Sequence, residues 1–296
     1  MALIAITIYI MFSVTQVLLY YSVFGFATEI LFFFGNFNQT MIFDTHAHYD
    51  DAAFDDDRDE LLSGMPAKGI GRIVNVTANY DSIEKSLVLA GKYDHVYTSA
   101  GLHPTEIYDL DMDEVLRVVE DKCRLPKVVA IGEIGLDYHY DDTDEAKQRA
   151  YFEAQLEIAL RAGLPVIIHS RDAGAETFDH MKAFAAKGGM GVIHCYSYSY
   201  EMAAEYVKLG YYIGIGGVVT FKNSRKLKEC AQKLPLSSIL LETDCPYLSP
   251  DPKRGQRNSS LNLPYVAAEI ARLRGITIEE VTGATWDNAM KMYGMS

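Results

Sequence analysis

The chain has 296 residues, is 49% hydrophobic and 23% charged, and carries a net charge of −13. That is an ordinary globular composition, and the acidity excludes a broad basic surface for duplex nucleic acid, though not a nuclease that grips one strand end. The four cysteines, Cys123, Cys195, Cys230 and Cys245, show neither C-x-x-C nor zinc-finger spacing and read as reduced thiols in a cytosolic protein.

The first forty residues differ from the rest. Residues 1–27 hold no charge, Glu29 is the only charged residue before Asp44, and the first basic residue is Arg58. An uncharged run longer than ~18 residues suggests a transmembrane helix. Yet neither flank is positive, as a signal peptide or a membrane anchor requires. Residues 1–40 are therefore expected to be a dispensable extension from an upstream start, with Met41 a natural beginning. The alternative is a membrane anchor through residues 1–34. Either way one core domain is expected over 41–296, with a cytoplasmic location.

Strand candidates then recur, one per strand–helix unit: 41–45, 71–77, 96–102, 128–132, 165–168, 191–193, 211–215 and 238–242. Most are short apolar runs, as in parallel strands buried on both faces. The clearest helix is 144–162, with Asp144 as cap, Phe152, Leu156, Ala159 and Leu160 on one face, and Gly163 as terminator. Eight such units in about 250 residues predict a TIM-like (β/α)8 barrel. An open doubly wound sheet gathers ligands at one switch point. Here the candidates come from strands one, three, four, five, six and eight, whose ends only a closed barrel brings around one centre.

Those candidates are His46, His48, His103, Glu133, His169, His194 and Asp244, each at or just past a strand end. Imidazoles and carboxylates are the ligands that divalent metals take. His46 and His48 form an H-x-H whose side chains project to one side of an extended chain. Glu133 follows an apolar run between two glycines, and its two oxygens can bridge a pair of metals. His169 and His194 close neighbouring strands. Asp244 closes the last one and can also accept a proton from water. His103 is left to contact substrate or stabilise charge. Arg171 stands near enough to hold a phosphate, against a structural ion pair with Asp172. Asp44 and Glu242 are expected to anchor or orient ligands rather than bind. Lys222, Arg225, Lys226 and Lys228, and then Lys253, Arg254 and Arg257, are candidates for backbone contact, with solvated faces as the plainer alternative. Tyr138, Tyr196, Tyr198 and Tyr247 are candidates for base stacking or simple lining, and Trp286 reads as core.

Four segments, Ile42-Phe43-Asp44-Thr45-His46-Ala47-His48, Gly132-Glu133-Ile134-Gly135-Leu136-Asp137-Tyr138, Pro165-Val166-Ile167-Ile168-His169-Ser170-Arg171 and Glu242-Thr243-Asp244-Cys245-Pro246-Tyr247-Leu248, resemble the TatD family of metal-dependent deoxyribonucleases. The resemblance spans Met41 to about Tyr293. It implies a TIM-like barrel with two divalent ions (Mg, Mn or Zn). His46, His48, Glu133 and Asp244 would bind one; Glu133, His169 and His194 the other, with His103 beside the substrate. It further implies 3′-to-5′ exonuclease action on DNA, with a single strand or 3′ end as partner. The alternative on the same site is ester or amide hydrolysis, including D-aminoacyl-tRNA. A remoter one is a non-catalytic, membrane-tethered accessory protein. No obligate protein partner is expected. Tyr198 stands where the family commonly has Gly, and Ser259-Ser260 follow Asn258 where it often has Pro. Both departures bear on substrate preference.

Overall fold

The computed structural model describes residues 41–295. The hydrophobic extension, whether anchor or upstream start, lies outside the described residues. Among the described residues no helix is long and apolar enough to cross a membrane.

Eight strands pair in sequence order, all parallel: β1 Ile42–Ala47, β2 Ile70–Asn75, β3 Val96–Ala100, β4 Val128–Asp137, β5 Val166–Arg171, β6 Gly191–Ile193, β7 Tyr212–Ile215 and β8 Ile239–Leu241. Helices alternate with them: α1 Arg58–Gly64, α2 Tyr80–Lys92, α3 Met112–Lys122, α4 Glu145–Ala162, α5 Gly174–Ala186, α6 Tyr200–Lys208 and α7 Arg225–Lys233. The last two, α8 Leu263–Arg274 and α9 Ile278–Met292, follow β8. This is the expected TIM-like (β/α)8 barrel, with strand positions close to the predicted ones.

Alternate strand residues divide the core in two. Phe43, Val74, Ala130, Ile167, Val192, Tyr212 and Leu240 pack together from seven of the strands. Ile73, Ile131, Ile168, Ile193, Ile213 and Ile239 pack with the helices instead. That double burial is why the strands read as apolar runs without alternation. Trp286 and Tyr293 close one end of the first cluster against Phe43, each with ring centroids 5.7 Å from it. Helix α4 behaves as its sequence predicts: Asp144 accepts from the Lys147 N–H at 2.9 Å, and Gly163 ends it at φ 66°.

The barrel closes differently between β8 and β1. The pairing there is one bridge, Ala47 to Cys245, in which the His48 N–H donates to the Cys245 carbonyl at 2.8 Å and the Asp244 N–H to the His46 carbonyl at 2.9 Å, with side chains completing the seam. Thr45 Oγ1 donates to the Leu241 carbonyl at 3.0 Å, and the buried Asp44 carboxylate gathers the Thr243 N–H, the Thr243 hydroxyl and the Ser260 hydroxyl. The seam holds the residues after β8 beside the end of β1.

Candidate metal centre

In a parallel barrel every strand ends at the same rim, so polar residues there converge. The structure brings His46, His48, His103, Glu133, His169, His194 and Asp244 together at this rim. Their positions along the strands vary more than expected. His46, Glu133 and His169 lie within β1, β4 and β5, whereas His103, His194 and Asp244 lie beyond β3, β6 and β8. Strand β4 runs to Asp137, five residues past its predicted end. A register shift between Ile131 and Ile134 bulges it where Glu133 sits, and such bulges re-aim side chains. The neighbouring glycines serve close packing rather than flexibility. A Cβ on Gly135, at φ 150°, would stand 1.9 Å from the His169 carbonyl oxygen.

Glu133 is the centre of the cluster, and its two oxygens face different groups. Oε2 lies 3.3 Å from His46 Nε2 and 3.9 Å from His48 Nε2. Oε1 lies 2.9 Å from His169 Nδ1 and 3.2 Å from His194 Nε2. Asp244 Oδ1 joins the first group, 3.3 Å from His48 Nε2 and 3.8 Å from His46 Nε2. His46 and His194 stack, ring centroids 3.6 Å apart.

Bonds made away from the centre fix what each ring presents to it. The Val76 carbonyl, 2.9 Å from His48 Nδ1, can only accept, so Nδ1 carries the proton and Nε2 turns a lone pair inward. Asp137 Oδ2, 3.0 Å from His169 Nε2, does the same for His169 Nδ1. Glu242 Oε1 lies 3.5 Å from His194 Nδ1 while accepting from the Cys195 N–H at 2.6 Å. The nitrogens of His46 and His48 face each other at 3.0 Å. Lone pairs and carboxylate oxygens crowded this closely fit a bound cation, and outward hydrogen bonds of this kind orient metal-binding histidines. His46–His48–Glu133, His46–His194–Asp244 and Glu133–His169–His194 each bring three such atoms within 4.8 Å of one another, so each could hold an ion.

The electrostatics agree. Burial alone raises the Glu133 carboxyl, but His194, His46 and the His169 bond outweigh it and hold it well below its usual range. Burial likewise opposes the charge on His48, yet the bond and charge of Asp244 lift it to about 9, so a proton competes with a cation for the Nε2 lone pair. For His103 burial and the nearby His169 outweigh the pull of Glu133 and Asp137 and bring it down to about 3. His103 is therefore neutral, and its tautomer follows from its loop. The Thr105 N–H donates to Nδ1 at 3.2 Å, so Nε2 bears the hydrogen, 3.8 Å from Glu133 Oε1.

Other expected residues divide. Arg171 is exposed in a groove of about 980 Å³ over the cluster, its guanidinium 5.9 Å from the Tyr140 ring centroid. The pairing of Arg171 with Asp172 does not form; Asp172 takes His139 instead, at 2.9 Å. Tyr247 lines the groove, whereas Tyr138 bonds Glu176, Tyr198 bonds Ser170, and Tyr196 is buried. Of the basic runs, Lys228 pairs with Glu269, Arg257 pairs with Asp57, and Arg254 covers Phe221. The sequence reading missed Asp137 and Tyr140. The signal for Asp137 was its even spacing from Glu133, which in an extended strand puts both on one side.

Comparison with known proteins agrees with this geometry. A family profile described as TatD related DNase matches residues 43–294. The chain belongs to the TatD family. It is similar to the uncharacterized metal-dependent hydrolase YabD of Bacillus subtilis, 38% identical over 86% of this chain and 99% of that one. It is also similar to the 3′-5′ ssDNA/RNA exonuclease TatD of Citrobacter rodentium, 32% identical over 86% of this chain and 98% of that one. Among solved structures, the TatD homologue YjjV from Escherichia coli superposes with a TM-score of 0.80 at 33% identity, covering 87% of this chain and 99% of that one. This TatD-family chain is thus a metal-dependent hydrolase.

Proposed function

We propose that this TatD-family chain is a 3′-to-5′ exonuclease on single-stranded DNA that works with two divalent ions. The observation that carries the reading is the division of Glu133, whose two oxygens face two separate ligand sets. Such a carboxylate suits a pair of ions about 3.5–4 Å apart. The choice of nucleic acid follows the Citrobacter rodentium relative, named as an exonuclease on single-stranded DNA and RNA. On this reading His46, His48, Glu133 and Asp244 hold one ion, and Glu133, His169 and His194 hold the other. An imidazole-rich set favours Zn or Mn over Mg by ligand softness.

Bound ions supply a lowered water pKa and positive charge beside the phosphoryl oxygen. The remaining work falls to side chains. Asp244 is 19% exposed toward the groove and takes the proton of the attacking water. His103 donates its Nε2 hydrogen to a phosphoryl oxygen as negative charge grows there. Being neutral, it acts as a donor and not as a cation. Arg171 contacts a phosphate further along the strand. Glu242 and Asp137 hold His194 and His169 in place.

The test is incubation of the full-length protein with 5′-labelled single-stranded DNA and Mg, Mn or Zn, with and without chelator. A ladder shortening from the 3′ end, abolished by chelator and by Asp244→Asn, is the expected result. Intact DNA from folded, metal-loaded protein refutes the nuclease and moves the search to aminoacyl-tRNA or small esters.

A further inference from the structure

A second cavity lies beside the ligand cluster, among the residues that follow β6, β7 and β8. Its volume is about 450 Å³, less than half that of the groove. The two spaces share Cys195, Ser197, Asp244 and Leu248. Tyr196, Val218 and Leu227 give it apolar walls, and Asn223, Ser224 and Arg225 add polar groups. Gly217 lets the walls approach: a Cβ there would stand 2.1 Å from the Leu248 carbonyl oxygen. Leu248 itself stands between the two spaces at φ 53°, and the residue is 38% exposed. A left-handed backbone is unfavourable for leucine, and strain of this kind collects at ligand clamps. The metal centre accounts for neither the cavity nor the strained leucine.

We propose that this cavity receives the 3′-terminal nucleoside of the strand, with Leu248 dividing it from the preceding base. The inference rests on the nuclease reading and adds where each part of the substrate lies. Its first support is size. The volume falls within the range of about 300–1,000 Å³ that encloses small molecules, room for a nucleoside but not for a continuing strand. Its second is chemistry, since apolar walls with a few polar groups suit the face and edge of a base. Its third is continuity. A scissile phosphate beside Asp244 has one nucleoside on one side and the rest of the strand on the other. The larger groove takes the strand, so the smaller cavity takes the terminal nucleoside. Water then adds to phosphorus, and the bond to the 3′ oxygen of the preceding sugar breaks. That oxygen leaves with a proton, and the cavity releases a nucleoside 5′-monophosphate.

The experiment compares kcat/KM on single-stranded DNA with kcat/KM on bis(p-nitrophenyl) phosphate, which has no nucleoside to seat. It uses the full-length protein, Val218→Trp and Asn223→Trp. The ratio of the two values is expected to fall at least about tenfold in both variants, the scale of one lost base stack. Inhibition by thymidine 5′-monophosphate is expected to weaken to a similar degree relative to inhibition by inorganic phosphate. Asn223 is exposed, so its variant decides the matter if Val218→Trp misfolds. Wild-type protein that degrades DNA, with folded variants that keep both ratios, overturns the cavity assignment alone. Wild-type protein that cleaves the p-nitrophenyl ester but leaves DNA intact overturns the nuclease reading and this assignment with it.

Discussion

Asp44→Ala should destabilise the protein by about 2–3 kcal/mol, although Asp44 is assigned to neither ion. Its carboxylate is buried in the seam between β1 and the residues after β8. Oδ1 accepts from the N–H groups of His46, at 3.3 Å, and Thr243, at 3.1 Å. Oδ2 accepts from the hydroxyls of Thr243, at 2.7 Å, and Ser260, at 2.6 Å. After truncation the hydroxyls have alternatives: the His46 carbonyl is 3.2 Å from Thr243 Oγ1, and Tyr49 Oη is 2.8 Å from Ser260 Oγ. The Thr243 N–H keeps the His46 carbonyl, 3.3 Å away, but the His46 N–H loses the Asp44 acceptor, and a stranded buried donor costs about 1–3 kcal/mol, with the space left by the carboxylate adding to it. The melting temperature should fall by roughly 5–10 °C. Asp44→Asn keeps the shape and an acceptor for both N–H groups and should be mild. It also isolates a pH effect. Burial lifts the Asp44 carboxyl to about 7, against the bonds from Ser260, Thr243 and His46 that lower it. A pKa raised on folding gives stability that is complete below the unfolded value of 3.8 and lost as pH rises through about 7. Wild type should therefore lose ground to Asp44→Asn between pH 5 and pH 8. Urea unfolding of chelator-treated proteins at both values measures this, since the histidine titrations are common to both and cancel in the difference. An alanine variant within about 1 kcal/mol of wild type, or a wild-type-to-asparagine gap independent of pH, would refute the reasoning.

Glu133→Gln leaves one carbonyl oxygen where two carboxylate oxygens faced two ligand sets. Bound metal, measured by elemental analysis, should fall from two ions to one or none, with kcat down by about 10³ or more; two retained ions would contradict the bridging role. Asp137→Asn should weaken metal affinity about 10–100-fold in a chelator competition, because His169 loses the carboxylate that fixes its tautomer; unchanged affinity would make Asp137 a bystander. Gly135→Ala should destabilise by more than about 3 kcal/mol, since its Cβ would overlap the His169 carbonyl and the strand cannot shift without moving a ligand. A normal melting temperature would count against that. His103→Ala should lower kcat about 10²-fold while leaving the metal content intact; loss of bound metal would instead make His103 a ligand.

The fold was legible because parallel strands buried on both sides are spelled in short apolar runs, and strand–helix spacing is local. Convergence of the seven polar residues followed from topology, since every strand of such a barrel ends at one rim. Residue types at those ends narrowed the chemistry to metal-assisted hydrolysis. What each side chain does at the rim was not local. The bulge that turns Glu133 so that its oxygens separate depends on how β4 pairs with β5. Asp137 lies five residues past the predicted end of the fourth strand, and only the longer β4 brings it beside His169. Asp44 and Ser260 meet across 216 residues, and the cavity beside Asp244 exists only where the residues after three strands pack together. Sequence patterns report which groups a chain carries and how it winds. Rotamers, proton positions and the spaces between loops are set by contacts that form only when the barrel closes, and those were the structure's to decide.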